Sequence, residues 1–313
     1  MKRYSVLVFA FLVIISLVCC TSNKGDVLSG ENYISFTDDN GTNISLADKP
    51  KKVAVLFSSH AQMVLLSGGS VDVTVGEAVE RGFAKEGTPL VDDGAGKKIN
   101  TEFLISQNPD LVIGSLDIFA HKETAELLNK SGIPTSLFHV ESFSDYERVM
   151  RILCDIFEGD ELYLKNVEEV KKGIDEVLAA VPEGQKKKIL FVRCSTTSKA
   201  TKAKTKNDNF VCAMLDELNT YNIAENAPIL LDGLSIEEII LENPDYIFFS
   251  TMGNENAAKE YMTGVLSSDE WQTITAVKNR NYTFLDKELF QYKPNDRWDE
   301  AYKTLLELLY ESN

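Results

Sequence analysis

Polar and charged side chains follow directly after the apolar stretches that the sequence marks as buried strands. Ser58, Ser59 and His60 follow the segment KKVAVLF, and Arg193 follows KKKILFV. Ligands of α/β sheets lie beyond the carboxyl ends of the strands. Hydroxyl, imidazole and guanidinium groups at that edge offer hydrogen bonds and positive charge. The sequence therefore predicts a ligand-binding site at the ends of these strands.

The candidate ligand-binding residues come from both halves of the chain. The first half contributes Ser58, Ser59, His60, Glu77, Arg81, Asp117 and Phe119, and the second half contributes Arg193, Met252, Tyr292, Lys293, Arg297 and Trp298. Lys293, Arg297 and Trp298 form a basic and aromatic group that suits an anionic, ring-bearing ligand. Structural roles stay open beside this one: Ser59 as a helix cap, Met252 as core filler, and Trp298 as part of the core.

The loop after Arg193 is basic although the chain as a whole is acidic. The segment TTSKATKAKTK carries four lysines, Lys199, Lys202, Lys204 and Lys206. At the rim of a binding site, these lysines would raise the local concentration of an anionic metal complex. The alternative is a mobile, solvated loop that does not contact the ligand.

Strand and helix patterns alternate in the first half of the chain. The segment YISFTDDNGTNISL predicts a β-hairpin that turns at Asp39, Asn40 and Gly41. The segments KKVAVLF, VDVTVG and LVI predict strands, and HAQMVLL, NTEFLIS and TAELLNK predict helices. This alternation predicts a mostly parallel α/β sheet.

Two segments of the chain repeat almost the same sequence. QNPDLVIGS ends at Ser115, ENPDYIFFS ends at Ser250, and the offset between Asp110 and Asp245 is 135 residues. A repeat of that length is domain-sized and far outside the solenoid range. The sequence therefore predicts two homologous lobes, in which NTEFLISQNPDLVIGS and SIEEIILENPDYIFFS form equivalent helix–turn–strand units.

A long helical stretch separates the two predicted lobes. The segment DYERVMRILCDIFEGDELYLKNVEEVKKGIDEVLAAVP is interrupted near Gly159 and ends at Pro182. A helix over 161–180 would be about 30 Å long, enough to join two domains. The predicted organisation is a leader at 1–20, a tether at 21–32, a lobe at 33–143, connecting helices at 144–182, and a second lobe at 183–313.

This organisation resembles the cluster A, helical-backbone class of ABC-transporter substrate-binding proteins. The segments that carry the resemblance are NTEFLISQNPDLVIGS and its echo, FVCAMLDELNTYNIAENAP and YKPNDRWDEAY, and the resemblance extends from about Tyr33 to the C-terminus. It implies two Rossmann-like α/β lobes with central, mostly parallel sheets. One long backbone helix would join the lobes, and the ligand cleft would lie between them.

The resemblance also implies a monomeric receptor that delivers a small-molecule metal complex to an ABC permease and its ATPase. The expected ligand is a ferric siderophore of the catecholate or carboxylate kind, whose negative charge Arg and Lys would bind. Haem is an alternative, with His60 in the first lobe and Met252 or Tyr292 in the second as axial ligands. Cobalamin is another alternative, and no intrinsic cofactor is expected. A continuous connecting helix bends little, so we expect small closure on binding.

Members of this class dock on their permease through one acidic residue on each lobe. Glu86 and Glu217 stand at about the corresponding places in this sequence. The resemblance therefore implies that these two side chains contact basic pockets of the permease. The alternative is that both are ordinary surface carboxylates.

Composition and motifs argue against several other functions. The net charge of −16 argues against binding to nucleic-acid phosphates. Three histidines are few for a receptor of bare zinc or manganese. The sequence has no GxSxG, HExxH or complete P-loop motif, so we predict no enzyme. An exported sensor lipoprotein remains an alternative from another class.

The first twenty residues have the pattern of a secretory signal. In MKRYSVLVFAFLVIISLVCC, Lys2 and Arg3 precede an apolar run from Val6 to Val18. The run is short for a transmembrane helix. The end of the segment resembles a bacterial lipobox, with Cys20 as the lipidated residue. The sequence thus predicts a protein that is lipid-anchored on the extracytoplasmic face of the cell membrane.

Overall fold

The computed structural model of the chain describes residues 32–92 and 98–311. The predicted leader, Cys20 and the tether up to residue 31 lie outside the described residues. Residues from Asn32 onward form one compact unit. Among the described residues, no helix has the length and apolar character needed to cross a membrane.

The described chain contains ten strands and fourteen α-helices. The strands are β1 Ile34–Thr37, β2 Asn43–Leu46, β3 Val53–Val55, β4 Leu111–Ser115, β5 Thr135–Phe138, β6 Lys187–Cys194, β7 Lys202–Ala203, β8 Thr220–Asn222, β9 Tyr246–Thr251 and β10 Tyr282–Phe284. The helices are α1 Ser58–Leu66, α2 Gly76–Glu80, α3 Thr101–Ser106, α4 Phe119–Lys130, α5 Phe143–Phe157, α6 Asp160–Tyr163, α7 Glu169–Ala179, α8 Phe210–Glu217, α9 Ile229–Asp232, α10 Ile236–Glu242, α11 Glu255–Leu266, α12 Thr275–Lys278, α13 Lys287–Phe290 and α14 Trp298–Leu306. Two π-helical segments, Leu164–Glu168 and Glu307–Glu311, follow α6 and α14.

The predicted hairpin is confirmed. β1 and β2 pair antiparallel, with Ile34 opposite Leu46. The Asp38 carboxylate accepts hydrogen bonds from the N–H groups of Asn40 and Thr42 at 3.0 and 2.7 Å, which closes the turn. Gly41 has a φ of 76°, a conformation that favours glycine.

The sheet of the first lobe is parallel, with strand order β3–β4–β5. The segment VDVTVG was predicted as a further strand, and this prediction is only partly correct. Val73 forms an isolated bridge with Ala54, and Thr74 forms one with Leu90. α2 starts at Gly76, so the extended segment between Gly69 and Gly76 is too short for a regular ladder.

The second lobe repeats the parallel arrangement. Its strands follow the order β8–β6–β9–β10, and β7 adds an antiparallel pairing to β6. The fold class is therefore α/β with two lobes, as the sequence predicted. The boundaries of 33–143, 144–182 and 183–313 remain predictions.

The repeated NPD segments have the same structural role in both lobes. Asp110 accepts hydrogen bonds from the N–H groups of Lys51 and Lys52 at 2.8 and 2.9 Å, just before β3. Asp245 accepts one from Lys188 N–H at 2.9 Å, near the start of β6. The asparagine two residues before each aspartate is left-handed, with φ of 49° at Asn108 and 46° at Asn243. The repeat therefore ties a helix end to the amino end of the neighbouring strand.

The connecting helix is continuous from Asp160 to Ala179, but it is not a regular α-helix throughout. Its middle is the π-helical segment Leu164–Glu168. The Asn166 carbonyl accepts a hydrogen bond from Tyr146 Oη at 3.0 Å, and the Asn166 side-chain amide donates to Leu66 O at 2.8 Å. The Asn166 side chain thus holds the connector against Leu66 of the first lobe, and its carbonyl binds Tyr146 of the preceding helix α5.

One apolar core runs through both lobes and the connector. It includes Val55 of the first lobe, Ile156 and Ile174 of the connecting helices, and Phe191 and Trp298 of the second lobe. A second core lies within the second lobe around β6 and β9. The shared core restricts movement of one lobe relative to the other.

We predict that Asp110→Ala lowers the free energy of unfolding by about 1–2 kcal/mol, because it leaves two backbone donors at the start of β3 without their acceptor. Asp245→Ala should cost less, because it removes one such bond. Urea unfolding monitored by circular dichroism measures both. Asp269→Ala, at an exposed aspartate, is the control. If Asp110→Ala and the control variant were equally stable, the hydrogen bonds of Asp110 to the start of β3 would not stabilise the fold.

Candidate functional site

A cavity of about 270 Å³ lies between the lobes at the carboxyl ends of the parallel strands. Ser115 is the last residue of β4 in the first lobe, and Arg193 is the penultimate residue of β6 in the second. The cavity is lined by Phe57, Glu77, Ser115, Asp117, Ile118, Glu141, Arg193, Asp208, Asn209, Phe210, Phe290, Gln291, Tyr292 and Lys293. The position is the one that parallel sheets favour for a ligand.

The cavity brings together five of the candidates that the sequence indicated. Glu77 and Asp117 come from the first lobe, and Arg193, Tyr292 and Lys293 come from the second. Their polar groups share the cavity with the aromatic rings of its wall. The arrangement can hold a ligand that has both ring surfaces and polar groups.

Lys293 is one of the two cations that line the cavity, and its side chain is 12% exposed. Its ammonium lies 2.6 Å from the Glu141 carboxylate and 4.5 Å from the centre of the Phe210 ring. Burial lowers the pKa of Lys293, while the charge and hydrogen bond of Glu141 raise it. The Glu141 carboxylate also accepts a hydrogen bond from Phe210 N–H at 3.1 Å. Glu141 precedes α5, so one side chain of the first lobe joins two groups of the second.

Arg193 is the cation of the cavity that has no carboxylate partner. Its Nε atom is buried and has no hydrogen-bond partner among the described residues. No described carboxylate lies within ion-pair distance of its guanidinium. A buried N–H group without a partner is costly, and a bound anionic group would satisfy the guanidinium in a bidentate manner.

The other carboxylates of the cavity have partners of their own. Asp117 lies 2.7 Å from His139 Nδ1, and Asp208 lies 3.0 Å from the Lys204 ammonium. Glu77 accepts a short hydrogen bond from Ser58 Oγ. The wall is therefore a mixture of both charges and not a basic surface.

Arg81 joins the two lobes beside the cavity. Its guanidinium carbon lies 3.7 Å from the centre of the Tyr292 ring, and its Nη2 atom lies 3.3 Å from the Glu288 carboxylate. Its Nη1 atom donates to Ser58 Oγ and Ser59 Oγ at 3.2 and 3.4 Å. Arg81 thus occupies the contact between the lobes, and its side chain is only 8% exposed.

Ser58, Ser59 and His60 lie inside the protein rather than on the cavity wall. All three belong to the first turn of α1 and are buried. Ser59 Oγ accepts a hydrogen bond from Lys293 N–H at 3.4 Å, so it too contributes to the contact between lobes. Neither Ser58 nor Ser59 caps α1, whose N-cap is Phe57.

His60 differs most from its expected role as an axial ligand. Its ring packs edge-on against Phe57 at 5.1 Å and Phe138 at 6.4 Å. Burial lowers its pKa to about 3, with smaller contributions from His121 and Lys293. The neighbouring His121 accepts a hydrogen bond from Ser115 N–H at 3.0 Å, and burial lowers its pKa to about 4. Both rings are neutral core groups.

Four other candidates lie outside the cavity wall. Phe119 begins α4 next to the lining residue Ile118 and is 73% exposed. Met252 follows β9, and Arg297 is paired with Glu300 at 2.7 Å. Trp298 is fully buried and packs behind Phe210, with 5.6 Å between the ring centres. Trp298 therefore contributes to the core and supports the wall from behind.

Two of the four lysines of the basic loop pair with neighbouring carboxylates. Lys204 pairs with Asp208 at 3.0 Å, and Lys206 pairs with Asp216 at 2.9 Å. Part of the loop forms β7. The role of the loop in attracting an anionic complex at the rim of the cleft remains a prediction.

The predicted docking residues lie on the surface. Glu86 is exposed and lines a separate surface cavity. Glu217 ends α8, is exposed, and accepts a hydrogen bond from Tyr302 Oη at 2.5 Å. Neither residue lines the cavity between the lobes.

Sequence reasoning missed several residues of the wall, above all Glu141, Asp208 and Phe210. Glu141 follows β5 by three residues, and Phe210 begins α8. Glu141 shares the signal that identified the others, because it also follows a strand that ends at the cavity. Asp208 and Phe210 have no such signal, because neither follows a parallel strand. Only the tertiary fold brings the segment before α8 to the cavity.

Comparison with known proteins identifies the family to which the chain belongs. Residues 53–289 match the family model described as periplasmic binding protein. The chain belongs to the periplasmic binding protein family. This is a family of solute-binding transport proteins and not a class of enzymes. No curated protein matches the sequence.

Solved structures of other periplasmic binding proteins have a similar fold. A possible iron-binding protein from Staphylococcus epidermidis ATCC 12228 is 20% identical, with a TM-score of 0.67 over 84% of this chain and 100% of that one. An ABC transporter substrate-binding protein from Listeria monocytogenes EGD-e is 17% identical, with a TM-score of 0.68 over 85% and 100%. The periplasmic haem-binding protein RhuT from Roseiflexus sp. RS-1 is 18% identical, with a TM-score of 0.67 over 83% and 98%.

The buried histidines of this periplasmic binding protein predict lower stability in acid. Their folded-state pKa values of about 3 and 4 lie below the ordinary 6.5, so the unfolded chain binds protons first as the pH falls below 6.5. The loss at pH 5 should be about 2 kcal/mol per histidine relative to pH 7. Urea unfolding at both pH values measures it.

His121→Asn and His60→Leu should each remove part of this pH dependence. The readout is the difference in unfolding free energy between pH 7 and pH 5 in each variant and in the native protein. A difference that is the same in all three proteins would show that the histidines do not cause the loss.

Proposed function

We propose that the protein is the extracytoplasmic substrate-binding component of an ABC importer and that it captures a ferric siderophore. The observation that carries the proposal is the unpaired guanidinium of Arg193 in an aromatic-walled cavity between two lobes. An anionic donor group of an iron complex would pair with Arg193, while its rings or alkyl parts would contact Phe57, Phe210 and Tyr292. The bound complex would be cargo, and no resident cofactor is proposed.

The membrane components are part of the same proposal. The protein would act as a monomer, anchored at the outer face of the cell membrane through a lipid on Cys20. It would deliver its cargo to a permease that is driven by an ATPase. The names of the structural relatives, which include an ABC transporter substrate-binding protein and a possible iron-binding protein, are consistent with this.

Haem is a second candidate, because one histidine is held at the cleft in a manner suited to a metal. His139 is 41% exposed, and its Nδ1 atom lies 2.7 Å from the cavity-lining Asp117. A carboxylate on one ring nitrogen orients an imidazole so that the other nitrogen can bind a metal. His139, rather than the buried His60, would then be the axial ligand in the first lobe. Cobalamin has no comparable observation in its favour.

The proposal predicts saturable binding of one ferric complex by the mature protein. Trp298 lies one ring behind the wall residue Phe210. In a Trp271→Phe variant it is the single tryptophan, because the chain has two. Its fluorescence should be quenched by the bound ligand. The panel comprises ferric catecholate, hydroxamate and citrate complexes, haemin and cobalamin.

Arg193→Ala should raise the Kd of the bound complex about 10- to 100-fold, because it removes a charge-assisted pair in a desolvated site. Arg151→Ala, at a surface arginine paired with Asp155, is the matched control and should leave the Kd unchanged. No binding by any ferric complex would refute iron capture. A sharpened Soret band that His139→Ala abolishes would favour haem.

Delivery to the permease is tested separately. We predict that Glu86→Gln combined with Glu217→Gln removes uptake in cells and leaves the Kd unchanged, because both charges lie on the surface and away from the cavity. Glutamine is chosen because it retains an acceptor for Tyr302 Oη. A control pair, Glu126→Gln with Glu176→Gln, alters two exposed glutamates on α4 and α7. Normal uptake by the first pair would rule out the docking assignment.

A further inference from the structure

Glu141 connects the lobes and sets the charge of the cavity at the same time. Its Oε1 atom pairs with the Lys293 ammonium at 2.6 Å, and its Oε2 atom accepts from Phe210 N–H at 3.1 Å. Both partners belong to the second lobe and line the cavity, as Glu141 itself does. The Lys293 side chain is 12% exposed and the Glu141 side chain 31%, so the lysine end of the ion pair is the more buried. Water therefore screens this pair less than it screens a fully exposed pair.

The charges around the cavity do not favour a strongly anionic ligand. Two cations and four carboxylates line it: Arg193 and Lys293 against Glu77, Asp117, Glu141 and Asp208. The neighbouring ion pairs add the cations Arg81 and Lys204 and the carboxylate Glu288. With Lys287, whose ammonium lies 4.9 Å from the centre of the Tyr292 ring, five cations and five carboxylates lie in or beside the cavity. A ligand with several negative charges would therefore meet nearby carboxylates as well as cations, and Glu141, at 31% exposure, is more buried than Asp117 and Asp208, at 41% and 43%.

One place in the cavity nevertheless attracts an anion. Lys293 is compensated by Glu141, whereas Arg193 has a buried Nε without a partner. The compensated lysine and the uncompensated arginine are close enough that the charge of Arg193 lowers the pKa of Lys293. Without Glu141, the two cations would act together on the same ligand.

We propose that Glu141 is a specificity-determining residue: by neutralising Lys293 it restricts the cavity to metal complexes of low net charge that present a single anionic group to Arg193. This inference rests on the proposed function and specifies the class of complex. It replaces the catecholate or carboxylate complex expected from the sequence with one that is neutral or singly charged. The remaining carboxylates, Asp117 and Asp208, would accept hydrogen bonds from hydroxyl, amide or amine groups of the ligand.

The test compares two ferric complexes of different charge on the same variants. The probes are a neutral ferric trishydroxamate and a trianionic ferric triscatecholate, and the readout is the ratio of their two Kd values by fluorescence titration. The native protein should bind the neutral complex more tightly. Glu141→Gln should shift the ratio about tenfold or more towards the trianionic complex, because it exposes the full charge of Lys293 to the ligand.

Two further variants separate charge selection from a structural role. Glu141→Gln combined with Lys293→Gln removes both charges and should return the ratio towards that of the native protein. Glu147→Gln breaks another Glu–Lys pair of similar length, 2.7 Å to Lys171, between residues that do not line the cavity, and should leave the ratio unchanged. If Glu141→Gln weakened both complexes equally, Glu141 would be only a tie between the lobes, and the inference would be overturned.

The result also distinguishes the inference from the function on which it rests. A native protein that binds the trianionic complex more tightly would overturn the role of Glu141 and leave iron capture in place. Absence of binding by every complex, with the native protein and all variants, would overturn both.

Discussion

The packing of Trp298 against Phe143 and Phe210 joins the three parts of the molecule on which the site depends. Phe143 begins the helices of the connector, Phe210 forms part of the cavity wall, and Trp298 begins the last α-helix. The ring centres lie 6.4 and 5.6 Å apart, in edge-to-face contacts. Because protein interiors are close-packed, displacing one lobe would disturb all three elements. The width of the cavity is therefore set by the core.

Burying a charged side chain at the contact between the lobes costs free energy. Nearby groups of opposite charge, or an aromatic ring, offset that cost for most of these side chains. Lys293 would be strongly destabilised by burial alone, and Glu141 compensates its charge from the opposite lobe. Arg81 is compensated in the same way by Glu288 and by the face of Tyr292. Arg193 lacks such compensation. This difference among the three cations at the contact between the lobes is what gives the cavity its function in our proposal.

Much of the fold could be predicted from local sequence patterns. The hairpin, the parallel strands and the helical connector follow from turn residues and hydrophobic periodicity, which are local properties. The prediction of VDVTVG as a regular strand was only partly correct, because its length is limited by the turns on either side. The π-turn at Asn166 was not predictable from local patterns, and the partners of Asn166, Tyr146 and Leu66, lie 20 and 100 residues away.

The sequence by itself determined the two-lobed α/β architecture, because the NPD repeat and the strand patterns encode it locally. It also indicated which strand ends face the cleft, and hence Asp117, Arg193, Tyr292 and Lys293. Only the tertiary structure decided which polar groups face the cavity and which are buried behind it. His60 and Trp298 resemble ligand-binding residues in type and position, yet packing against Phe57 and Phe210 places them in the core. The pairing of Glu141 with Lys293 joins residues 152 positions apart, and no local pattern could reveal it.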